Sequence, residues 1–421
     1  MDEERALELD ATSGSSLRDE FALPPWRDGR HPHWAYLAGN SLGLEPLAAR
    51  TAVARVLDEW GAAGVEGWFE GTEPWLERAG ALRGPVARLV GAHPSEVAVM
   101  NTLTVNLHLL LASFYRPTPE RHRILIEDAA FPSDSHAVQA QAALHGFDPR
   151  SAVVRLRPRP GEALLRSEDV VRAIEREGRG LAVVLLPAVQ YLTGQVFDVA
   201  AITAATHAVG AVAGWDLAHA IGNVPVALHD AGADFAVWCH YKYVNAGPGA
   251  PGGAFVHERH ATDGSLPRLA GWWGTDPTLR FRMDPDFAPR AGAEGWAVST
   301  PSVLALAPLT ASLEQFDRVG LGPLRRRSLG LTGYLEELVR EVARVRRLEL
   351  VTPSEPAARG CQLSVSADGA RSLAVRLRDE HGVVCDFREP DVLRFAPAPL
   401  YNTHHDCWRA ATALLDLLEP R

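Results

Sequence analysis

The chain has 421 residues, 47% hydrophobic and 22% charged, an ordinary globular composition with room for one large core and a smaller second one. Its formal net charge is −10 and its only basic cluster is Arg325-Arg326-Arg327, so nucleic acid is not an expected partner. No apolar run is long enough to span a bilayer and the acidic start Met1-Asp2-Glu3-Glu4-Arg5 is no signal peptide, so no membrane association and a cytoplasmic location are expected.

Residues 46–63 and 74–90 read as two helices. From about 90 to 260, short apolar runs at 97–100, 124–126, 152–154, 181–186, 211–215, 235–238 and 253–256 alternate with amphipathic stretches at 133–144, 167–177 and 198–209. The last of these opens on Asp198 and closes on Gly210. Continuous apolar strands alternating with helices predict an α/β fold with a mostly parallel sheet covered on both faces, whose ligands sit beyond the carboxyl ends of the strands. A Trp- and Pro-rich connector at 271–293 leads to a long helical stretch, 302–347. The tail reads as a small α+β unit, with strands at 362–366, 382–386 and 393–395 and helices at 370–380 and 404–418.

Lys242 is the only lysine, so every other side-chain cation among the forty-two Lys and Arg residues is arginine. Arginine serves ion pairing as well as lysine but stays protonated, whereas a desolvated lysine amine attacks carbonyls. Biased coding could leave one lysine by accident, yet the flanks Trp238-Cys239-His240-Tyr241-Lys242-Tyr243-Val244-Asn245 are an apolar strand running into a turn, a poor place for a solubility charge.

Another strand ends Gly214-Trp215-Asp216-Leu217-Ala218-His219. Asp216 at that edge would face the same pocket as Lys242 and could keep a pyridine nitrogen protonated, although a turn cap with a satisfied histidine reads equally well. Asn101-Thr102-Leu103-Thr104 opens an apolar helix, either as a phosphate site or as simple N-capping by Thr102 or Thr104. Phe131-Pro132-Ser133-Asp134 follows the strand at 124–126 and places a ring and a carboxylate at its end. The four cysteines, Cys239, Cys361, Cys385 and Cys407, lack C-x-x-C spacing, and His404-His405-Asp406 reads as a helix start, so no metal site is expected.

These segments occur together with Leu37-Ala38-Gly39-Asn40-Ser41-Leu42-Gly43, Leu103-Thr104-Val105-Asn106-Leu107-His108, Tyr241-Lys242-Tyr243, Gly271-Trp272 and Arg394-Phe395-Ala396-Pro397. In that order and spacing the chain resembles the kynureninase family of fold-type-I pyridoxal-phosphate enzymes, over nearly its whole length. The resemblance implies a large cofactor-binding domain with a seven-stranded, mostly parallel sheet at 51–290, a small α+β domain at 291–421, and an arm, 1–50, serving the small domain and the active site. It also implies a homodimer with active sites at the interface.

By the same resemblance pyridoxal 5′-phosphate is held as a Schiff base on Lys242, with Asp216 on the pyridine nitrogen. Leu103, Thr104, Phe131, Pro132, Ser133, Asp134, His219 and Tyr241 surround the cofactor, joined by Trp272 and Thr300 of a neighbouring subunit. Arg394 would grip the substrate α-carboxylate, with Asn40, Ser41 and Trp68 also on the substrate side. The implied reaction is hydrolysis of L-kynurenine to anthranilate and L-alanine, with Lys242, Tyr241 and Asp216 catalytic and 3-hydroxykynurenine a second candidate substrate. Trp68 and Thr300 resemble the bacterial pattern, which favours the unhydroxylated form. Pro187 stands where many relatives have a Ser or Thr for the cofactor phosphate. The rival reading is another fold-type-I lyase, cysteine desulfurase-like or aminotransferase-like; a desulfurase would need a mobile loop cysteine, for which Cys361 is the candidate.

Overall fold

A computed structural model describes residues 1–13, 16–27, 30–261 and 265–420. The seven apolar runs form one sheet: β1 (Val97–Met100), β2 (Arg123–Glu127), β3 (Val153–Leu156), β4 (Leu181–Pro187), β5 (Val212–Asp216), β6 (Phe235–Cys239) and β7 (Gly252–Val256). Their spatial order is β1-β7-β6-β5-β4-β2-β3. Only β7 is antiparallel to its neighbours, β1 and β6; every other pair is parallel.

Side chains alternate across this sheet into two cores. Ile124, Ile126, Val183, Leu185, Phe235 and Val237 meet Leu107, Leu110, Phe114 and Val138 of the helices Leu103–Phe114 and Pro132–Leu144. Leu125, Val184, Leu186, Trp215 and Trp238 meet Val170, Ile174 and Ile202 on the other face. Each fully buried aliphatic side chain contributes about 1.5–3 kcal/mol of transfer free energy, which is why strands covered on both faces are apolar without a break.

The small sheet contains β8 (Glu349–Leu350), β9 (Leu363–Ser366), β10 (Asp386–Arg388) and β11 (Val392–Phe395) in the order β10-β11-β9-β8, all antiparallel. Its core joins Leu335, Val339, Phe395 and Leu414 to Ala6, Ala35 and Leu37 of the N-terminal arm. The arm includes a helix that its sequence did not suggest, Glu3–Thr12, whose N-cap Asp2 accepts from Glu4 N at 3.0 Å. His404-His405-Asp406 does start a helix, with Thr403 and Asp406 forming a capping box.

Three expectations are corrected. The stretch 302–347 is two helices, Val303–Val319 and Leu321–Val345, broken at Gly320, whose φ of +81° a residue with a Cβ adopts only under strain. The first packs Leu306, Leu309, Leu313 and Phe316 into the core of the large sheet, and the second carries Leu331 and Leu335 into the core of the small one. The helix at 74–90 is likewise two, Trp75–Ala81 and Arg83–Val90. The strand at 382–386 is also two: Val383–Val384 pairs with Ala35–Tyr36 of the arm, while Asp386–Arg388 pairs with β11. Isolated side-chain patterning cannot show that neighbouring residues of one run pair with different partners.

Candidate active site

The carboxyl ends of β1, β2, β4, β5 and β6 share one edge, and a cavity opens there. Lys242 reaches it from the turn after β6, where Asn245 takes a left-handed φ of +57° and Ala246 N donates to His240 O at 3.0 Å. The Lys242 Nζ lies 5.7 Å from the Phe131 ring centre and 5.9 Å from that of Tyr241. The arm supports this turn from outside: Gly43 N donates to Tyr241 O at 2.8 Å.

Asp216 ends β5 and accepts from Ala218 N at 2.6 Å, which turns its carboxylate into the cavity. Asp134, in the first turn of the helix that follows β2, faces it. Burial raises the Asp134 carboxyl well above the usual range and the Asp216 charge raises it further; burial also raises Asp216. His219 is driven well below its usual value by burial, helped by the Lys242 and Arg394 charges, and so is neutral. Burial raises the Tyr241 phenol, which therefore keeps its proton.

Leu103, Thr104, Phe131, Ser133, Asp134, Asp216, His219, Tyr241 and Lys242 all line this one cavity. Pro132 does not; it occupies the first position of its helix, where the missing N–H costs nothing. Pro187 lines the cavity beside Asp216, its partner in the β4–β5 register. The helix at Leu103 has no side-chain cap, so Thr102 does not perform the N-capping that was its alternative reading, and Leu103 and Thr104 at the helix start line the cavity.

Two features fit a cofactor ring and phosphate. The buried Asp134 Oδ1 has no hydrogen-bond partner, and the uncapped helix start offers donors to an anion. Pyridoxal 5′-phosphate fits this donor set, with Lys242 as the amine, Asp216 for the ring nitrogen and Phe131 for the ring face.

Arg394 sits behind Tyr191, its guanidinium carbon 5.9 Å from that ring, and is 1% exposed. Ser41 Oγ lies 3.2 Å from Arg394 Nη2. Asn40 donates to Gln362 Oε1 at 2.9 Å and its buried Oδ1 is unpartnered. Trp68 and Thr300 are brought together, but in a second cavity with Trp60, Trp75 and Leu304, and neither lines the lysine cavity of its own chain. Trp272 is also outside that cavity and donates to Arg280 O at 3.1 Å.

A family model described as "Kynureninase C-terminal domain" matches residues 324–414. Over 419 residues the chain is 56% identical to a kynureninase of Salinispora tropica, covering 99% of this chain and 98% of the relative. It is 54% identical to a kynureninase of Koribacter versatilis, covering 96% and 95%. The chain belongs to the kynureninase family. Solved structures similar in fold include a mutant of C-DES with glycine linked to its PLP cofactor (TM-score 0.77, 18% identity, covering 90% of this chain and 96% of that one) and a cysteine desulfurase of Thermococcus onnurineus (0.76, 18%, 91% and 94%). They establish the fold-type-I architecture that kynureninases share with the desulfurases, and pyridoxal 5′-phosphate is the cofactor. The desulfurase reading fails on Cys361, which is fully buried with its thiol pushed up to about 12 by burial, the opposite of a mobile nucleophile.

Three residues at this kynureninase site were not singled out from sequence. Glu127 ends β2 and lines the cavity; burial pushes its carboxyl up to about 8, with Gln190 opposing and Asp216 adding. The rule that found Asp216, an acid at a strand's carboxyl end, would have found it. Tyr191 lines the cavity edge-on to Phe131, with ring centres 5.2 Å apart, and Asp386 pairs with Arg394. Neither carries a local signal: Tyr191 meets Phe131 from far along the chain, and Asp386 meets Arg394 only once their two strands pair.

Proposed function

We propose that the protein is a pyridoxal-phosphate-dependent hydrolase that cleaves L-kynurenine to anthranilate and L-alanine. The observation that carries this reading is the placement of the chain's only lysine in one cavity with Asp216, Asp134, His219 and Phe131. Bound there, pyridoxal 5′-phosphate supplies an electron sink for the pair left when the substrate Cα–H bond breaks. Lys242 would hold the cofactor at rest, and its amine, when free, would take the substrate Cα proton. Asp216 keeps negative charge against the ring nitrogen, and Phe131 covers one ring face against water. Backbone N–H groups at Leu103 and Thr104 bind phosphate, with Ser133 and the neutral His219 completing the polar surround. Tyr241, protonated at neutral pH, relays protons in the later carbon–carbon cleavage. Arg394 takes the α-carboxylate, flanked by Ser41 and Asn40.

A second copy of the chain completes the site in this proposal. Trp60 is 60% exposed, Phe281 54% and Trp272 44%, a large apolar area for one chain to leave open. Trp272, Thr300 and Trp68, none of which lines the lysine cavity of its own chain, would reach that of the neighbour. The bulky Trp68 indole beside Thr300 supports a preference for unhydroxylated kynurenine. Four free cysteines suit a reducing compartment, on which a cytoplasmic location is proposed.

Purified protein should absorb in the visible and release fluorescent anthranilate on addition of L-kynurenine; a yellow protein that releases none defeats the reading. Sedimentation should give twice the chain mass.

A further inference from the structure

The arginine read above as the α-carboxylate grip already holds a carboxylate. Arg394 and Asp386 are directly opposite in the β10–β11 register, on adjacent antiparallel strands. Arg394 Nε donates to Asp386 Oδ1 at 2.5 Å, and Nη2 donates to the other oxygen of the same group. Nη1 donates to Tyr191 O at 2.6 Å and Nη2 also to Ser41 Oγ at 3.2 Å. A guanidinium has two edges that can take a carboxylate with paired hydrogen bonds. Asp386 occupies the Nε–Nη2 edge. Among the described residues, the Nη1–Nη2 edge is held by a backbone carbonyl and the tip of a serine, which also hydrogen-bonds Asp386.

Charge points the same way. Arg388 Nη2 lies 3.3 Å from Asp386 and 3.4 Å from Ser41 Oγ, so two guanidinium groups face one carboxylate. The cluster therefore carries one net positive charge, matched to a substrate with one free carboxylate. Arg394 is 1% exposed, so without a fixed partner its long side chain would be a buried cation free to rotate off the substrate.

We propose that Asp386 is the positioning residue of the carboxylate site: by fixing one edge of Arg394 it aims the other at the substrate and sets the local charge to accept a single anion. This rests on the reading of Arg394 as the grip. In the Asp386→Asn holoenzyme the KM for L-kynurenine should rise about tenfold while kcat stays within about threefold, since the lost interaction acts on binding and not on the bonds that break. Asp386→Glu, which keeps the charge but displaces it, should show a smaller rise of about threefold. Visible-absorbance titration should show weaker binding of L-alanine, with ethylamine, which lacks the carboxylate, unchanged. An unchanged KM in either Asp386 variant, or equal weakening for both amines, overturns the proposal. An Arg394→Lys holoenzyme with unchanged KM would instead overturn the assignment of Arg394.

Discussion

Gly43 and Lys242 touch through their backbones: a Cβ built on Gly43 would lie 2.4 Å from the Lys242 carbonyl oxygen and 2.2 Å from Asn245 Oδ1. The arm thus clamps the turn that carries the Lys242 amine, and no side chain fits between them. Gly43→Ala should destabilise the protein by about 2 kcal/mol through overpacking, and should weaken cofactor retention as the turn shifts. Urea unfolding and the dissociation constant of pyridoxal 5′-phosphate check both; a variant with wild-type stability and retention shows that the contact is dispensable.

Lys242→Ala should lose visible absorbance and at least about a thousandfold of kcat/KM with the far-ultraviolet circular dichroism unchanged. Retention of a tenth of the activity would show that the amine is not the cofactor's attachment point.

Glu127 gives a pH dependence of stability. Its carboxyl is pushed up to about 8 in the fold, chiefly by burial, against about 4.3 in an unfolded chain. Between those values the folded state binds a proton that the unfolded state has released, so stability falls as pH rises, and above the folded value the loss is complete. Below the unfolded value both states are protonated and the group contributes nothing. Urea midpoints of the cofactor-free protein at about pH 5, 7 and 9 should decline, and Glu127→Gln should decline less. Parallel curves would count against a protonated Glu127.

Asp234 acts in the opposite sense. His207 Nε2 and His260 Nε2 lie 2.8 Å from its carboxylate, Ala213 N donates at 2.7 Å and Arg259 pairs with it. Burial acts to raise this carboxyl, but the hydrogen bonds from His207, His260 and Arg259 outweigh it and hold it well below the usual range. Its stabilisation is present above the unfolded carboxylate value and is lost as pH falls toward the folded one. Asp234→Asn should cost about 3 kcal/mol at neutral pH by urea unfolding. A loss under about 0.5 kcal/mol would mean that the cations find other partners.

Substrate choice tests Trp68. Wild-type kcat/KM should favour L-kynurenine over 3-hydroxykynurenine at least about tenfold, and Trp68→Ala should narrow the gap by opening room for the ring hydroxyl. Equal rates in the wild type would remove the steric argument.

The strands at 97–256 were legible because burial on both faces writes an unbroken apolar run, and Lys242, Asp216 and Phe131 because each stands at the end of such a run. The two breaks in helical patterns, at Leu82 and at Gly320, were not, since apolar periodicity continues across both. The N-terminal helix was missed because it is short and mostly polar, and one buried residue, Ala6, sends no periodic signal.

Local chemistry in the sequence determined which residues could react: one amine, an acid at a strand end, a ring beside them, and an arginine in a family-like setting. Tertiary structure alone decided what each of these faces. Asp386 joins Arg394 by pairing across two strands, Gly43 meets Lys242 through an arm remote in the chain, and Trp68 joins Thr300 in a cavity apart from the lysine. Strand pairing and close packing act through space, and the order of residues along the chain records only the side chains that will meet, not the partners they meet.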